Sequence, residues 1–132
     1  MLVLSYIEAL SSVLDEVTGV EPRRDLLKSS SNSLLLSLLE QQPMYGYIIV
    51  KELEERSQGY FKFKEGTLYP ALHRLEKSGL ITGKWRMLPN GRQRRYYYIT
   101  AKGKAKLAAE KTQWQDFLEA VRLIFEPRLL ST

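Results

Sequence analysis

A helix-forming stretch at residues 65–79 has leucines on one side and compact residues on the other. Leu68, Leu72 and Leu75 recur at helical spacing, so we expect this side to pack inward. The outward side is mostly uncharged near its start and cationic toward its end. It carries Gly66, Pro70, His73, Arg74 and Lys77, with Thr67 and Tyr69 on its flanks. Solvated helix surfaces usually show Glu and Lys pairs instead. The pattern favours a helix that enters a groove with its first turns and meets phosphates with its later residues.

A hairpin is predicted directly after this helix, which Gly79 ends. Asn90-Gly91 separates two alternating runs, and Asn-Gly in that setting is a strong hairpin signal. Upstream, the apolar run 34–39 and residues 45–57 predict two further helices, with the serine-rich residues 29–33 as N-caps of the first. The predicted fold is therefore mainly α with a small β-hairpin. The order of elements is that of a winged helix-turn-helix at residues 25–100, with residues 80–99 as the wing.

Two amphipathic helices are predicted outside the winged domain. Residues 2–17, within an N-terminal segment 1–20, carry apolar residues at alternating spacings of four and three. Thr100 is expected to cap a final helix at residues 101–126. Its apolar stripe comprises Leu107, Trp114, Phe117, Leu118, Val121, Ile124 and Phe125. At 1.5 Å per residue this helix extends for about 37 Å, which overhangs a small domain. We therefore expect it to pack on a second copy of the chain, as a homodimer.

Positive charge is concentrated in one third of the chain. From Lys77 to Ala109 there are nine basic residues and no acidic one, whereas the other eleven basic residues are mixed with all fifteen acids. This asymmetry favours a polyanion partner, and double-stranded DNA fits better than a membrane surface because much of the charge lies on the hairpin. Arg92, Arg94 and Arg95 of the wing are expected to meet phosphates. Lys64, in the alternating apolar and basic run 60–64, is included among the expected DNA contacts.

Several classes of function are disfavoured by composition. The chain has no cysteine and a single histidine, His73, which argues against a disulfide framework, a metal site and a Ser-His or Cys-His catalytic apparatus. No cofactor motif and no enzyme activity are expected. No run of 18 or more apolar residues is present, so no membrane span is expected. Glu8, Asp15 and Glu16 near the N-terminus argue against a signal peptide.

Three runs resemble the PadR family of bacterial transcriptional regulators, and the likeness covers about residues 25–125. They read SLLLSLLEQQPMYGYIIVKELEERS, EGTLYPALHRLEKSGLI and GRQRRYYYITAKGKAKL. The short C-terminal part is similar to the smaller subfamily, which has a single C-terminal dimerisation helix. The resemblance implies a cytoplasmic, dimeric repressor of an inverted-repeat operator, with the helix at 65–78 in the major groove and the wing beside it.

The resemblance also implies roles for individual positions. Thr67, Tyr69, Pro70 and His73 fall on the family's DNA-reading segment, and Tyr45 and Gly46 fall at the start of its second helix. Trp114 matches an aromatic position that borders the dimer interface, where some family members bind small effectors. The first 20 residues depart from the short members, which leaves an extra dimerisation helix and a mis-assigned start both open.

Two alternatives remain open from the residues alone. A winged-helix protein-interaction module would use the wing for docking and its charges for solvation, although such a module has little need for a Tyr-Pro-His-Arg outward face. Trp114 and Phe117 are predicted to stack an aromatic or planar small-molecule effector, but an aromatic pair at helical spacing also suits simple packing.

Overall fold

The protein is mostly helical, with one two-stranded antiparallel hairpin, which confirms the winged-helix prediction. The computed structural model describes residues 7–9 and 22–130, with side chains from residue 30 in the second range. The elements are α1 (Pro22–Gln41), α2 (Gly46–Arg56), α3 (Glu65–Lys77), β1 (Ile81–Met87), β2 (Gln93–Ile99) and α4 (Ala101–Phe125). Of the helix predicted at residues 2–17, residues 7–9 are helical and the others lie outside the described residues.

The core forms where the first three helices meet the base of the hairpin. Leu68, Leu72 and Leu75 of α3 are buried, as their spacing predicts. They pack with leucines of α1 and with Ile49 of α2. Ile81 and Tyr97 close the core from the hairpin side. Burying one side of α3 in this way leaves its opposite side at the surface.

The hairpin has the predicted Asn-Gly turn and a regular register. Ile81 pairs with Ile99 at its base, and Met87 pairs with Gln93 near its tip. Gly91 has a φ of 82° in the turn, a left-handed conformation that glycine adopts without strain. Met44, just before α2, forms an isolated bridge with Tyr97. The start of α2 is therefore attached to the wing through the backbone.

The end of α3, the wing and the start of α4 meet at one junction. Thr100 caps α4, as predicted, because its hydroxyl accepts a hydrogen bond from the Gly103 amide at 3.0 Å. The Thr100 hydroxyl also lies 2.7 Å from the Gly79 carbonyl oxygen. A Cβ on Gly103 would lie 2.1 Å from the Leu80 carbonyl oxygen, so only glycine allows α4 to begin this close to the wing.

Two expectations about the helices are wrong. Residues 29–33 do not cap a helix, because α1 begins at Pro22 and continues through them. Ser30 and Ser31 are buried there and the Ser33 hydroxyl donates to Glu110 of α4, so packing against α4 outweighs the capping preference of serine. Leu107, predicted to contact a second copy, is fully buried in the core of its own chain. From that position it cannot contact a partner.

Candidate nucleic-acid interface

The outward side of α3 is exposed along its whole length. Its predicted residues Gly66, Thr67, Tyr69, Pro70, His73, Arg74 and Lys77 all lie at the surface. Lys64 is also exposed and occupies the N-cap position of the helix. The first two turns of this side carry no cation after Lys64, whereas Arg74 and Lys77 lie in the last turn. The predicted arrangement of compact residues followed by cations is therefore present on one solvent-facing surface.

The two glycines predicted to contact DNA have opposite surroundings. A Cβ on Gly66 would meet no atom within 4 Å, so the backbone of α3 is openly accessible there. Gly46 is buried beneath the Tyr69 ring, and a Cβ on it would lie 2.5 Å from the Tyr69 Oη atom. Its predicted DNA contact is therefore corrected to a packing role between α2 and α3. Tyr69 still exposes 45% of its surface.

One face of the hairpin forms an array of alternating cations and aromatic rings, which we call the outer wing face. The Arg86 guanidinium lies 4.3 Å from the centre of the Tyr96 ring, and Lys84 Nζ lies 5.5 Å from the centre of the Tyr98 ring. Its members are Lys84, Arg86, Arg94, Tyr96 and Tyr98 of the hairpin, together with Tyr45 from the start of α2, which packs against Tyr96. Cations held over ring faces keep their charge available while losing freedom of movement. The outer wing face therefore presents ordered positive charges that could contact a polyanion.

Tyr45 joins the outer wing face to the helix-turn-helix. Its ring packs edge-on against Tyr96 with centres 5.4 Å apart, and the Arg94 guanidinium lies 5.8 Å from its centre. Tyr45 is also the N-cap residue of α2. The predicted functional position Tyr45 is thus a bridge between α2 and the wing.

Sequence reasoning did not select Lys84, Arg86, Tyr96 or Tyr98 as site residues. The signal that could have found them is the period-two alternation of the two strands. Residues that pair across the hairpin lie on the same face, and Lys84 pairs with Tyr96 while Arg86 pairs with Arg94. The array follows from that register, which the sequence alone did not establish.

The three wing arginines have three different settings. Arg92 is exposed beside the turn, where its amide donates to the Asn90 side chain at 3.0 Å. Arg94 belongs to the outer wing face. Arg95 points to the other face and forms an ion pair with Glu76 of α3 at 2.8 Å. Arg95 thus has an internal carboxylate partner that Arg92 and Arg94 lack among the described residues, and its phosphate contact stays a prediction.

Tyr97 lies beside this ion pair, on the core side of the hairpin. Burial raises the pKa of its phenol, and the positive charge of Arg95 partly opposes that effect. The neutral phenol is the form that the folded protein favours there.

The last turns of α4 expose a continuous apolar stripe. Ile124 is 82% exposed and Phe117 is 47% exposed, while Val121 is half-buried. Arg122, beside the stripe, forms ion pairs with Glu119 and Glu126, and each guanidinium nitrogen lies 2.8 Å from a carboxylate oxygen. The hydrogen bond from Arg122 lowers the pKa of the Glu119 carboxyl. Leu118 and Phe125, also predicted for dimerisation, lie on the same part of the helix.

A cavity of about 450 Å³ lies between α1, the segment after α2 and the middle of α4. Its lining includes Leu34, Phe61, Trp114 and Leu118, with serine hydroxyls from α1 and Lys111. The Trp114 ring packs edge-on against the Phe117 ring, with ring centres 5.9 Å apart, but Phe117 does not line the cavity. The two residues predicted to bind an effector together are therefore in different environments, and only Trp114 borders the cavity.

Comparison with known proteins is consistent with this architecture and decides the family. Residues 35–109 match the model of the transcriptional regulator PadR-like family. The chain belongs to the PadR-like family. Its members are transcriptional regulators rather than enzymes, they bind DNA, and they are generally dimeric. The family assignment that the three sequence runs suggested is thereby confirmed.

Individual relatives match between about half and four fifths of the chain. An uncharacterised protein of Lysinibacillus sphaericus is 35% identical over 104 residues, which cover 79% of this chain and 95% of that protein. Transcriptional regulator Rv3488 of Mycobacterium tuberculosis is 37% identical over 68 residues, or 52% of this chain and 63% of that protein. A PadR-like transcriptional regulator from Bacillus cereus superposes with a TM-score of 0.72 at 30% identity, covering 79% of this chain and 99% of that one.

Among the described residues, no helix of this PadR-like regulator combines the length and apolar character needed to cross a membrane.

Proposed function

We propose that this PadR-like regulator is a repressor that binds an inverted-repeat operator as a homodimer, with α3 in the major groove and the wing beside it. The observation that carries the proposal is the exposed side of α3, which is compact and mostly uncharged near its start and cationic at its end. A helix can bring base-reading residues to the groove floor only if its leading turns are slim, while later cations reach the flanking phosphates. Chromosomal DNA would place this action in the cytoplasm.

The homodimer is proposed to form through residues 101–126, with residues 25–100 as the DNA-binding domain. The support is the apolar stripe on the last turns of α4, where Ile124 is 82% exposed and Phe117 is 47% exposed. A two-fold dimer presents two copies of α3 related by symmetry, and such proteins match operators with the same symmetry. Residues 1–20 are proposed to pack near the same region, since Ile7 lines the cavity beside α4.

Selection of bound sequences from random duplex DNA tests the proposal directly. The expected result is an enriched inverted repeat with half-sites centred about one helical turn apart or a multiple of it. His73→Ala is expected to fold and dimerise normally and to relax preference at one position of each half-site by about 1–3 kcal/mol. Enrichment of no common sequence, or full operator preference in His73→Ala and Tyr69→Ala alike, would contradict reading by α3 and favour a protein-interaction role.

A second candidate function is release of DNA by an aromatic or planar small-molecule effector. The cavity beside Trp114 favours it, because an apolar space of about 450 Å³ is within the range of small-ligand pockets. The two tryptophans, Trp85 and Trp114, allow a clean measurement. In Trp85→Phe, naphthoate should quench the remaining Trp114 fluorescence and lower operator affinity. Unaltered Trp114 fluorescence at saturating naphthoate would count against the site.

A further inference from the structure

Glu76 connects the reading helix to the wing through one carboxylate. Its Oε2 atom accepts a hydrogen bond from the Gly83 amide of β1 at 2.9 Å and another from Arg95 Nη2 of β2 at 2.8 Å. Glu76 lies in the last turn of α3, so its carboxylate links both strands of the hairpin to that helix, in addition to the core contacts of Ile81 and Tyr97. The Glu76 carboxylate is half-buried, with 30% of its side chain exposed, so solvent screens this ion pair only in part.

Gly83, Trp85 and Tyr97 surround the Arg95 guanidinium beside Glu76. A Cβ on Gly83 would lie 2.5 Å from Arg95 Nε, so the guanidinium occupies the space that any other residue would fill. The Arg95 guanidinium also lies 6.0 Å from the centres of both the Trp85 and Tyr97 rings. These contacts restrict the guanidinium and place its Nη2 atom against Glu76, although 36% of the Arg95 side chain remains exposed.

The relative orientation of α3 and the wing matters because their proposed DNA contacts are on different elements. The exposed side of α3 would face the bases, while Arg92 and the outer wing face would contact the backbone. Both sets of contacts can form at once only if the angle between helix and hairpin is fixed. Errors of about 1 Å in such a placement are costly.

We infer that Glu76 is a positioning residue for DNA binding: it fixes the wing relative to α3 without contacting DNA itself. The inference rests on the proposed DNA binding by α3 and the wing. It predicts an unusual effect on DNA affinity when a negative charge is removed. Removing a carboxylate from a protein that binds a polyanion strengthens binding if only long-range electrostatics act. A positioning role predicts the opposite result.

The test compares Glu76→Gln with Glu65→Gln in the full-length chain. Both lie on α3 and remove one negative charge, but Glu65 is exposed and has no ion-pair partner among the described residues. Glu76→Gln keeps the side-chain length and an acceptor for the Gly83 amide. We expect it to bind the selected operator about fivefold more weakly, as the loss of a partly exposed charge pair implies. Glu65→Gln should bind equally or more tightly, and both should melt close to wild type.

Arg95→Met provides an independent second variant, because methionine keeps the packing on Trp85 and Tyr97 while removing the charge. It should reproduce the loss of Glu76→Gln, and the double variant should bind no more weakly than either single one. The slope of log affinity against log salt should be unchanged, whereas a direct phosphate contact by Arg95 would lower it by about one unit. An unchanged or tighter Glu76→Gln complex, or a reduced slope in Arg95→Met, would overturn the inference.

Two further variants distinguish failure of the proposed DNA-binding surface from failure of the positioning role of Glu76. His73→Ala and Arg92→Ala do not touch the Glu76 junction, so their effects on operator binding test α3 and the wing themselves. If both are without effect in the wild-type background, the proposed DNA-binding surface is wrong. If both weaken binding while Glu76→Gln does not, only the positioning role is wrong.

Discussion

The Tyr69 ring lies directly over Gly46, so close that a Cβ on the glycine would come 2.5 Å from the tyrosine Oη. This contact joins the start of α2 to the exposed side of α3. It holds a ring that is 45% exposed in one position at the proposed DNA surface. Gly46, predicted as a DNA contact, thus packs under Tyr69 and helps to position the Tyr69 ring.

Gly46→Ala should displace Tyr69 and leave the rest of the fold in place. The ring can move outward because it is half-exposed, and alanine gains up to about 1 kcal/mol of helix propensity over glycine. We expect operator preference to fall as far as in Tyr69→Ala, with a melting temperature near that of wild type. Competition binding against random duplex at fixed salt measures this. The double variant Gly46→Ala/Tyr69→Ala should equal Tyr69→Ala alone, and a further loss would refute the coupling.

Gly66→Ala offers the matched comparison on the same surface. No atom lies within 4 Å of a Cβ at this position, so the free protein should be unchanged or slightly more stable. If the α3 backbone approaches DNA closely there, the added methyl group should weaken operator binding by about 1–2 kcal/mol through overpacking. Thermal melts and operator titrations measure the two effects. Unchanged affinity would show that DNA stays clear of Gly66.

Arg92→Ala and Arg94→Ala should each weaken binding to operator and random DNA by similar factors. Wing cations that meet phosphates carry no sequence information, and each lost contact should reduce the salt slope by about one unit. Titrations over a series of salt concentrations measure the slope. Arg56→Ala, whose partners are Glu52 and Gln41, is the control and should leave the slope unchanged. A change of sequence preference with an unaltered slope would indicate base reading by the wing.

Leu72→Ala should destabilise the protein while leaving the selectivity of folded molecules intact. Leu72 is fully buried, and truncations of this kind cost about 2–5 kcal/mol in the free energy of unfolding. Leu130→Ala, at a position 92% exposed, should change that free energy by less than about 0.5 kcal/mol. Denaturant unfolding measures both. Equal stability of the two variants would contradict the burial of Leu72 in the core.

Ile124→Asp should shift the chain toward monomers. Ile124 is 82% exposed on the apolar stripe of α4, and a charge placed at the centre of an apolar interface is costly to bury. Sedimentation of the full chain at micromolar concentration measures the shift. Gln42→Asp places the same charge on an exposed position between α1 and α2, outside the proposed interface, and should remain dimeric. A stable wild-type monomer in the same experiment would rule out the proposed interface.

The features predicted correctly from the sequence are those governed by neighbouring residues. The spacing of Leu68, Leu72 and Leu75 indicates which side of α3 is buried, because helical period alone sets it. Asn90-Gly91 specifies the turn, since glycine accepts a left-handed φ without strain. Thr100 caps α4 through a hydrogen bond to an amide three residues away. Each of these depends on local chemistry that packing did not override.

The errors and omissions concern residues whose partners are distant in the chain. Nothing near Arg95 in sequence indicates that it pairs with Glu76, and nothing near Gly46 indicates that Tyr69 covers it. The serines at 29–33 have strong capping propensity, yet contacts with α4 keep them inside α1.

The stripe on α4 shows the same limit within a single helix. Leu107 and Ile124 have the same apolar character, but one belongs to the core of its own chain and the other is exposed. The close approach permitted by Gly103 places the first turns of α4 against the wing, so the core of the chain extends as far as Leu107. The sequence thus determined the elements and their inward sides. Only the tertiary structure decided which outward residues remain available to a partner, because that depends on which elements happen to pack against them.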